Sequence, residues 1–431
     1  MTWRAWLERP VDAASLAAFR ALFGALMLIA VVRFAVKGWI HDLLVAPGWH
    51  FTYEGFGWVR PLPEPWVEVH VAVLALAAAA VAVGFATRAS ALVLLVGFLW
   101  VELVDKTTYL NHYYLMSLLA ALVVWLPVSA TGSVDAALDG GRATVPAWTV
   151  YLLRLQLGVV YAFAGVAKLG PDWLAGQPLR GWLAARGDVP WLGGWLTWPP
   201  TGVAMAWAGT AFDLTIPALL CVPALRPWAF GVLIVFHAVT GALFPIGMFP
   251  WIMVASSLVF FEPGWPRRWL PARWLQGRGH RPAGGLPVAI VWAAAQVALP
   301  LRSHAQTADV LWTERGFRWS WRVLLVEKLG HVEFDVVDAD TGRRERVRPE
   351  AWLTPYQAKV MATQPDMILQ FAHRLRDASP GSRVSVYADS WVAFNGRPAA
   401  RYVDPSVDLA AIDDGWGERW WVLPRPPGGT P

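Results

Sequence analysis

The chain has 431 residues, of which 56% are hydrophobic and 16% are charged. Because about a quarter of a soluble domain is usually charged, this composition excludes a single soluble domain. The shortage of charged residues is confined to residues 1–301, whereas residues 302–431 resemble ordinary soluble protein. We therefore predict a lipid-embedded domain followed by a water-facing one. The formal net charge of +5 does not indicate nucleic-acid binding, since no basic cluster is interleaved with aromatic residues.

The apolar stretches predict nine transmembrane helices, most of them close to the ~20 residues that a span requires. The first stretch, after Ala13, is long enough to cross a bilayer and lacks a small-residue cleavage pattern, so we interpret it as a retained helix. The third, fourth and eighth stretches are short. The predicted spans are roughly 13–36, 67–87, 89–104, 112–128, 147–168, 203–223, 226–244, 249–261 and 285–301.

Basic residues predict the orientation of these spans. The loop 262–284 carries five arginines and is the most basic short loop in the chain. The positive-inside rule places this loop and the N-terminus on the cytoplasmic side of the cell membrane. An odd number of spans then places the C-terminal domain on the extracytoplasmic face.

Residues 302–423 predict a small β-rich domain. Thr354-Pro355 and Gln364-Pro365 are each typical of a helix start, and Asn395-Gly396 of a turn. We therefore predict a β-sandwich with one or two helices, followed by a disordered tail over 424–431. The predicted strand residues are Phe317, Trp319, Trp321 and Val323, followed by 332–337 and 384–393.

Lys168 ends a predicted span, and Tyr161, Gly165 and Lys168 share one helical face. By itself, a lysine at a helix end is more often an interface anchor than a functional group. If it faces an apolar pocket instead, burial disfavours the charged ammonium and makes the amine a usable base. The only cysteine, Cys221, lies in an apolar block, which excludes an internal disulfide and argues against a catalytic thiol.

Two histidine-containing motifs have structural and functional interpretations. Asn111-His112 begins the fourth span, where Asn111 could simply cap the helix and His112 could lie at the interface. His237 lies within the seventh span, where it could hydrogen-bond a neighbouring helix or serve a site. The stretch 243–251 after it is rich in aromatic residues and suits either a flat apolar ligand or lipid packing.

No motif for a metal, a phosphate group or a serine nucleophile is present in the sequence. There is no histidine pair at i, i+4, and Gly170-Pro171 is a helix terminator. These features favour an organic cofactor that reaches the site from the membrane.

Five sequence blocks together resemble the vitamin K-dependent γ-glutamyl carboxylase family, over roughly residues 10–410. Each block is moderately specific, but all five occur in the family's order. They are DKTTYLNHYY (105–114), YAFAGVAKLGPDW (161–173), FHAVTGALFPIGMFPWIMVASSLVFF (236–261), TERGFRWSWRV (313–323) and QPDMILQFAH (364–373).

The resemblance implies coupled oxygenation of vitamin K hydroquinone, or of menaquinol, to an epoxide and carboxylation of a glutamate γ-carbon, using O2 and CO2. It implies that Lys168 is the base and that Asn111 and His112 contact the quinol. It assigns residues 313–328 to presentation of a Glu-containing peptide or protein. The implied cofactor-binding residues are Phe244, Met248, Trp321, His237 and Tyr161, and the implied substrate-binding residues are Phe317, Arg322 and Lys328.

The chain departs from the animal enzymes of this family. It is much shorter, and Val326 and Lys328 stand where those enzymes carry His and Arg. Two alternatives therefore stay open, namely a quinol epoxidase or oxidase without carboxylation, and a non-catalytic membrane export or immunity protein.

Overall fold

Nine apolar helices form the N-terminal part of the computed structural model, which describes residues 2–281, 284–379, 383–415 and 417–427. The helices are α1 (Ala14–Val36), α2 (Trp66–Val83), α3 (Thr87–Val104), α4 (Asn111–Trp125), α5 (Ala147–Ala167), α6 (Pro199–Cys221), α7 (Arg226–Leu243), α8 (Phe249–Ser257) and α9 (Leu286–Leu301). In the described part of the chain, six of them are long and apolar enough to cross a membrane, and α4, α8 and α9 are shorter. A membrane-like helical region is thus confirmed, while the count of nine spans stays a prediction.

Shorter elements connect these helices. A strand β1 (Pro10–Asp12) pairs antiparallel with β2 (Thr144–Pro146). Five residues after α1, His41–Val45 form a π-helical turn. The short helices are Trp3–Glu8, Val134–Asp139, Pro171–Leu174, Leu179–Ala184, Gly193–Leu196 and Val310–Thr313, and the 3-10 turns are Lys106–Thr108, Leu258–Phe260, Trp265–Arg268, Ala272–Trp274, Pro349–Ala351 and Leu409–Ala411.

Small residues allow the helix backbones to approach closely, as is common in membrane bundles. A Cβ atom at Gly24 of α1 would lie 2.4 Å from the backbone nitrogen of Ala82 in α2. Arg20, one turn before Gly24, is 1% exposed and donates hydrogen bonds to the carbonyls of Val81 and Ala82, at 2.6 and 2.5 Å. This guanidinium therefore pairs with carbonyl groups in the last turn of α2, where the Val81 carbonyl also accepts from the backbone N–H of Gly84.

The C-terminal region contains the elements β3 (Lys328–Asp338), β4 (Arg344–Val347), α10 (Pro355–Met361), α11 (Pro365–Asp377), β5 (Val384–Phe394) and β6 (Ala400–Arg401). In its described residues, the four strands form one antiparallel sheet in the order β4-β3-β5-β6. Strands β3 and β5 pair along their whole length, with Lys328 opposite Phe394 and Asp338 opposite Val384. The helix α11 packs on the sheet, with the Phe371 and Phe334 rings 5.1 Å apart.

Several predictions for this region hold and two do not. Thr354 starts α10 with a capping box, Gln364 precedes α11, and strands cover both 332–337 and 384–393. The predicted β-sandwich is not confirmed, because the described residues form a single sheet backed by helices rather than two sheets. Of the predicted tail, 424–427 has no regular secondary structure and 428–431 lies outside the described residues.

The strand predicted over 317–323 is wrong. Residues 315–321 form turns, with Trp319 and Trp321 at φ of 63° and 56°, and Leu324 just beyond the segment has a φ of 53°. Such left-handed backbone is incompatible with a strand. The alternation of aromatic residues has another cause, since Trp321 is buried in the core of the helical region and Trp319 stacks on Tyr53, with the ring centroids 5.8 Å apart.

Candidate functional site

Lys168 is buried where α5 ends. Its side chain is 7% exposed, and Nζ donates a 2.7 Å hydrogen bond to Oδ2 of Asp213 in α6. The amine also lies 5.3 Å from the ring centroid of Trp173, within cation–π distance. Lys168 is therefore a paired buried lysine, and the interpretation as a snorkelling interface anchor does not fit its surroundings.

Close packing of α5 and α6 brings the pair together. A Cβ atom at Gly165 would lie 2.8 Å from Cγ and 3.0 Å from the backbone nitrogen of Leu214, the residue after Asp213. Only glycine permits this approach, which brings Asp213 within hydrogen-bond distance of Lys168. A Cβ atom at Gly158 would meet Pro217 at an ordinary 3.8 Å, so the close contact is confined to this end of the helices.

The pair borders an apolar cavity of about 80 Å³, called here the Lys168 cavity. Tyr161 Oη and His237 Nε2 are hydrogen-bonded at 2.8 Å in its wall, whereas Nδ1 of His237 is buried without a partner among the described residues. The cavity therefore combines an ion pair, a phenol and an imidazole in an apolar setting. The remaining lining residues are Val160, Ala164, Trp173, Leu179, Met205, Gly209, Phe236, Thr240, Phe244, Ile246, Phe249, Val323 and Leu324.

Four of the predicted residues, Lys168, Tyr161, His237 and Phe244, therefore share one cavity. His112 is not in its lining but lies behind Phe249. The Phe249 ring centroid is 5.9 Å from that of His237 and 6.3 Å from that of His112. The structure thus brings His112 next to the wall of the Lys168 cavity without placing it inside.

Asn111 joins the helical region to the C-terminal region. Its Nδ2 donates to the backbone carbonyl of Arg322 at 3.2 Å, and its Oδ1 accepts from Tyr109 Oη at 3.2 Å. Trp321 is fully buried and stacks on Tyr114 of α4, with the ring centroids 4.9 Å apart. Neither Trp321 nor Met248, which is buried at the start of α8, lines the Lys168 cavity.

The three predicted substrate-binding residues have different surroundings from one another. Phe317 lies in the turn segment and is half-buried. Arg322 donates from Nη2 to Ser303 Oγ at 3.2 Å. Lys328 is held in a buried ion pair, with Nζ 2.5 Å from Glu314 Oε1 and 2.9 Å from the Trp312 carbonyl. Burial lowers the pKa of Lys328, and Glu314 opposes that shift.

Sequence reasoning missed Asp213 and the role of Asp105. Asp213 is the only charged residue in α6, and a lone acid in a membrane span is a signal in its own right. Asp105 Oδ2 accepts from Gln357 Nε2 of α10 at 2.8 Å and lies 3.2 Å from His50 Nδ1. The start of the DKTTYLNHYY block is thus hydrogen-bonded to the C-terminal region.

A second group of contacts, made of ion pairs, connects the same segment to the C-terminal region. Lys106 Nζ lies 3.2 Å from Oδ2 of Asp366 in α11, and Arg318 Nη1 donates to the same oxygen at 2.7 Å. Burial raises the pKa of Asp366, but Arg318 and Lys106 outweigh it and hold the pKa well below its usual range. The carboxylate therefore stays charged and ties the 105–110 segment to the C-terminal region.

The donor set of the Lys168 cavity suits an organic molecule. In the described ranges, no group of three or more His, Cys, Asp or Glu residues is placed to hold a metal ion. An amine, a carboxylate, a phenol and a buried imidazole nitrogen without a partner surround aromatic and aliphatic walls. These groups can exchange protons and hydrogen bonds with a ring that carries hydroxyl or carbonyl oxygens.

Comparison with protein families identifies both regions. The HTTM domain model matches residues 8–265, more than half of the chain, which defines the class as a helical membrane protein of the HTTM type. The model for the lumenal domain of vitamin K-dependent gamma-carboxylase matches residues 284–427. The chain belongs to the vitamin K-dependent γ-glutamyl carboxylase family, as its sequence blocks predicted. No solved structure matches it.

Proposed function

We propose that the protein is a membrane-embedded γ-glutamyl carboxylase that uses vitamin K hydroquinone or menaquinol with O2 and CO2. The observation that carries this proposal is the buried Lys168–Asp213 pair on an apolar cavity, in a chain of the carboxylase family. When bound, the quinol supplies the reducing equivalents for O2 and the base strength needed at the glutamate γ-carbon. The chain supplies the dry site and the proton-transfer groups.

Lys168 acts as the proton acceptor of the site. In water-poor surroundings, an ion pair can be replaced by a neutral pair if the proton moves from Nζ to Asp213 Oδ2 along the 2.7 Å hydrogen bond. The neutral amine then accepts a hydroxyl proton from the ligand. Asp213 thereby sets the protonation of Lys168, which makes it a positioning residue in this scheme.

Tyr161, His237 and Phe244 hold the ring. No described residue pairs with Nδ1 of His237, which is therefore available for a ligand oxygen, and Phe244 supplies an apolar surface. At about 80 Å³, the cavity is smaller than the roughly 300–1,000 Å³ of typical ligand sites. Binding therefore requires widening of the cavity, whose wall includes Ile246, Val323 and Leu324 outside regular helices.

The proposed function also implies an orientation of the protein in the membrane. The C-terminal region lies on the extracytoplasmic face of the cell membrane, where it would meet a Glu-containing peptide or protein. The name of the matching family model, a lumenal domain, supports this orientation.

A carboxylation assay tests the proposal. Protein in nanodiscs is incubated with vitamin K hydroquinone, labelled bicarbonate and a Glu-containing peptide, and both peptide label and quinone epoxide are measured. We expect both products from the natural protein and neither from Lys168→Ala. Absence of label from the peptide, under conditions that yield epoxide, contradicts the carboxylase proposal.

A second candidate is a quinol epoxidase or oxidase without carboxylation. The observation that favours it is the burial of Lys328 against Glu314, which leaves this amine engaged at the expected substrate position. It predicts epoxide without peptide label for every Glu-containing peptide tested. If neither product forms and Lys168→Ala retains the biological function in cells, the non-catalytic alternative stands instead.

A further inference from the structure

A second cavity, called here the Trp39 cavity, lies between the helical region and the start of α10. It has a volume of about 600 Å³, and none of the predicted site residues lines it. The end of α1, the π-helical turn, α3 and the start of α4 form its walls, and residues 354–356 close it. Most of the wall is aliphatic or aromatic, including Phe34, Leu43, Leu44, Phe98, Val101 and Leu110.

The Trp39 cavity is accessible from outside the protein and lies beside a lipid-facing surface. Leu110 and Tyr356 in its wall are 42% and 45% exposed. Along α1, the exposed residues Ile29, Val32 and Val36 follow the i, i+3, i+7 spacing of one helical face. An exposed apolar face on a membrane span contacts lipid tails, so an acyl chain can pass from this surface into the cavity.

Two cations flank an aromatic ring in the wall of the cavity. The guanidinium carbon of Arg33 lies 5.0 Å, and Nζ of Lys37 lies 5.4 Å, from the ring centroid of Trp39. In the described part of the chain, neither cation has a carboxylate within ion-pair distance. The dipole of α1 favours cations at its C-terminal end, and these two also remain able to bind an anion such as a phosphate.

Asp42, three residues after Trp39, supplies the opposite charge. It also lines the cavity, its side chain is 65% exposed, and its Oδ1 lies 3.5 Å from Nδ1 of His41. The other acid in the lining, Glu102, is hydrogen-bonded to Ser117 Oγ and is not needed for recognition. Two cations and an accessible carboxylate thus border one apolar cavity, an arrangement that complements a head group with a negative phosphate and a positive amine.

We infer that the Trp39 cavity binds a membrane phospholipid with an ethanolamine head group. Its phosphate lies between Arg33 and Lys37, its ammonium donates to the Asp42 carboxylate, and one acyl chain enters the apolar cavity. The volume of the cavity falls within the roughly 300–1,000 Å³ of small-molecule sites, which suits one chain rather than an entire lipid. The bound lipid contacts both α1 and the start of α10, so it joins the helical region to the C-terminal region. This inference does not depend on the proposed function.

Native mass spectrometry tests the inference. Protein stripped of lipid in detergent is titrated with phosphatidylethanolamine, or with phosphatidylglycerol of the same acyl chains, and the lipid-bound fraction is measured. We expect one site that prefers phosphatidylethanolamine. The double variant Arg33→Gln/Lys37→Gln should bind both lipids about tenfold or more weakly, since both depend on the phosphate contacts. Asp42→Asn should remove the preference for phosphatidylethanolamine and retain phosphatidylglycerol binding, because only the amine contacts this carboxylate.

Control variants separate the head-group and acyl-chain contacts. Arg180→Gln removes an exposed arginine that does not line the cavity and should leave lipid binding unchanged. Ala46→Trp adds an indole to the lining from an exposed position and should weaken binding of both lipids. Glycerophosphoethanolamine, the head group without acyl chains, should not displace the lipid, and displacement at equal concentration would contradict a lipid site. Equal lipid binding by the natural protein, the Arg33/Lys37 double variant and Ala46→Trp overturns the inference, and a preference of the natural protein for phosphatidylglycerol overturns the role of Asp42.

Discussion

The Lys168–Asp213 pair places two charges where almost no water reaches them, since the side chains are 7% and 6% exposed. Removing one partner leaves an uncompensated buried charge, which typically costs about 3–5 kcal/mol, whereas replacing both by apolar residues is often neutral. The stability of the pair and its proton chemistry can therefore be separated by mutation.

We predict that Lys168→Met and Asp213→Leu each lower the stability of the protein by about 3–5 kcal/mol, and that the double variant recovers most of this loss. Thermal unfolding in detergent micelles measures the effect. All variants that lack Lys168 are expected to be inactive, so recovered stability without recovered activity separates the two roles. Additive losses in the double variant would contradict the pairing.

Asp366 predicts a pH dependence of stability. Because Arg318 and Lys106 overcome burial and depress its pKa, Asp366 contributes stability above the pKa of an unfolded aspartate, about 4, and loses it as the pH falls through the folded-state pKa. We expect Asp366→Asn to lower the unfolding temperature at pH 7 and to weaken its dependence on pH below about 4. Asp340→Asn, in an exposed turn, is the matched control, and an identical acid response in both variants would contradict the assignment.

At the scale of elements, the contact between α5 and α6 determines whether the ion pair can form. We predict that Gly165→Ala reduces activity and stability, because the added Cβ would lie 2.8 Å from Leu214 Cγ and 3.0 Å from its backbone nitrogen. Gly158→Ala, on the same helix, meets only an ordinary contact and should be neutral or slightly stabilising. Activity and unfolding temperature are measured for both variants. Equal values for the two would show that the close approach of α5 to α6 at Gly165 is dispensable.

The helices could be predicted from the sequence because span length and apolar composition are local properties. Helix starts such as Thr354-Pro355 were equally predictable, since capping depends on neighbouring residues. The turn structure of the 317–323 segment could not be predicted, because its alternating aromatic residues are buried against different partners rather than on one face of a sheet.

Only part of the lining of the candidate site could be predicted from the sequence, for a related reason. Lys168, Tyr161, His237 and Phe244 were identified and share one cavity, but Asp213 is 45 residues from Lys168 and its partnership depends on how α5 and α6 pack. The lining of the Lys168 cavity as a whole comes from segments that are far apart in the chain, from 160–168 to 323–324. No local pattern encodes such a juxtaposition.

At the scale of the whole molecule, the orientation in the membrane can be measured. In a Cys221→Ser background, we predict that Glu350→Cys reacts with a membrane-impermeant maleimide added to intact cells, whereas Arg273→Cys reacts only after permeabilisation. Both positions are exposed in the structure, so accessibility within the fold does not limit labelling. The reverse pattern would place the C-terminal region in the cytoplasm and require an even number of spans.

The contacts of Asn111 with Arg322 and of Tyr114 with Trp321 have a consequence for biosynthesis. The nine apolar helices in the described part of the chain precede residue 302, so they leave the ribosome before Val323 and Leu324, which line the Lys168 cavity. A nascent or truncated chain that ends near residue 301 would lack these two residues. We therefore expect the wall of the Lys168 cavity to be completed only once the ribosome has passed residue 324.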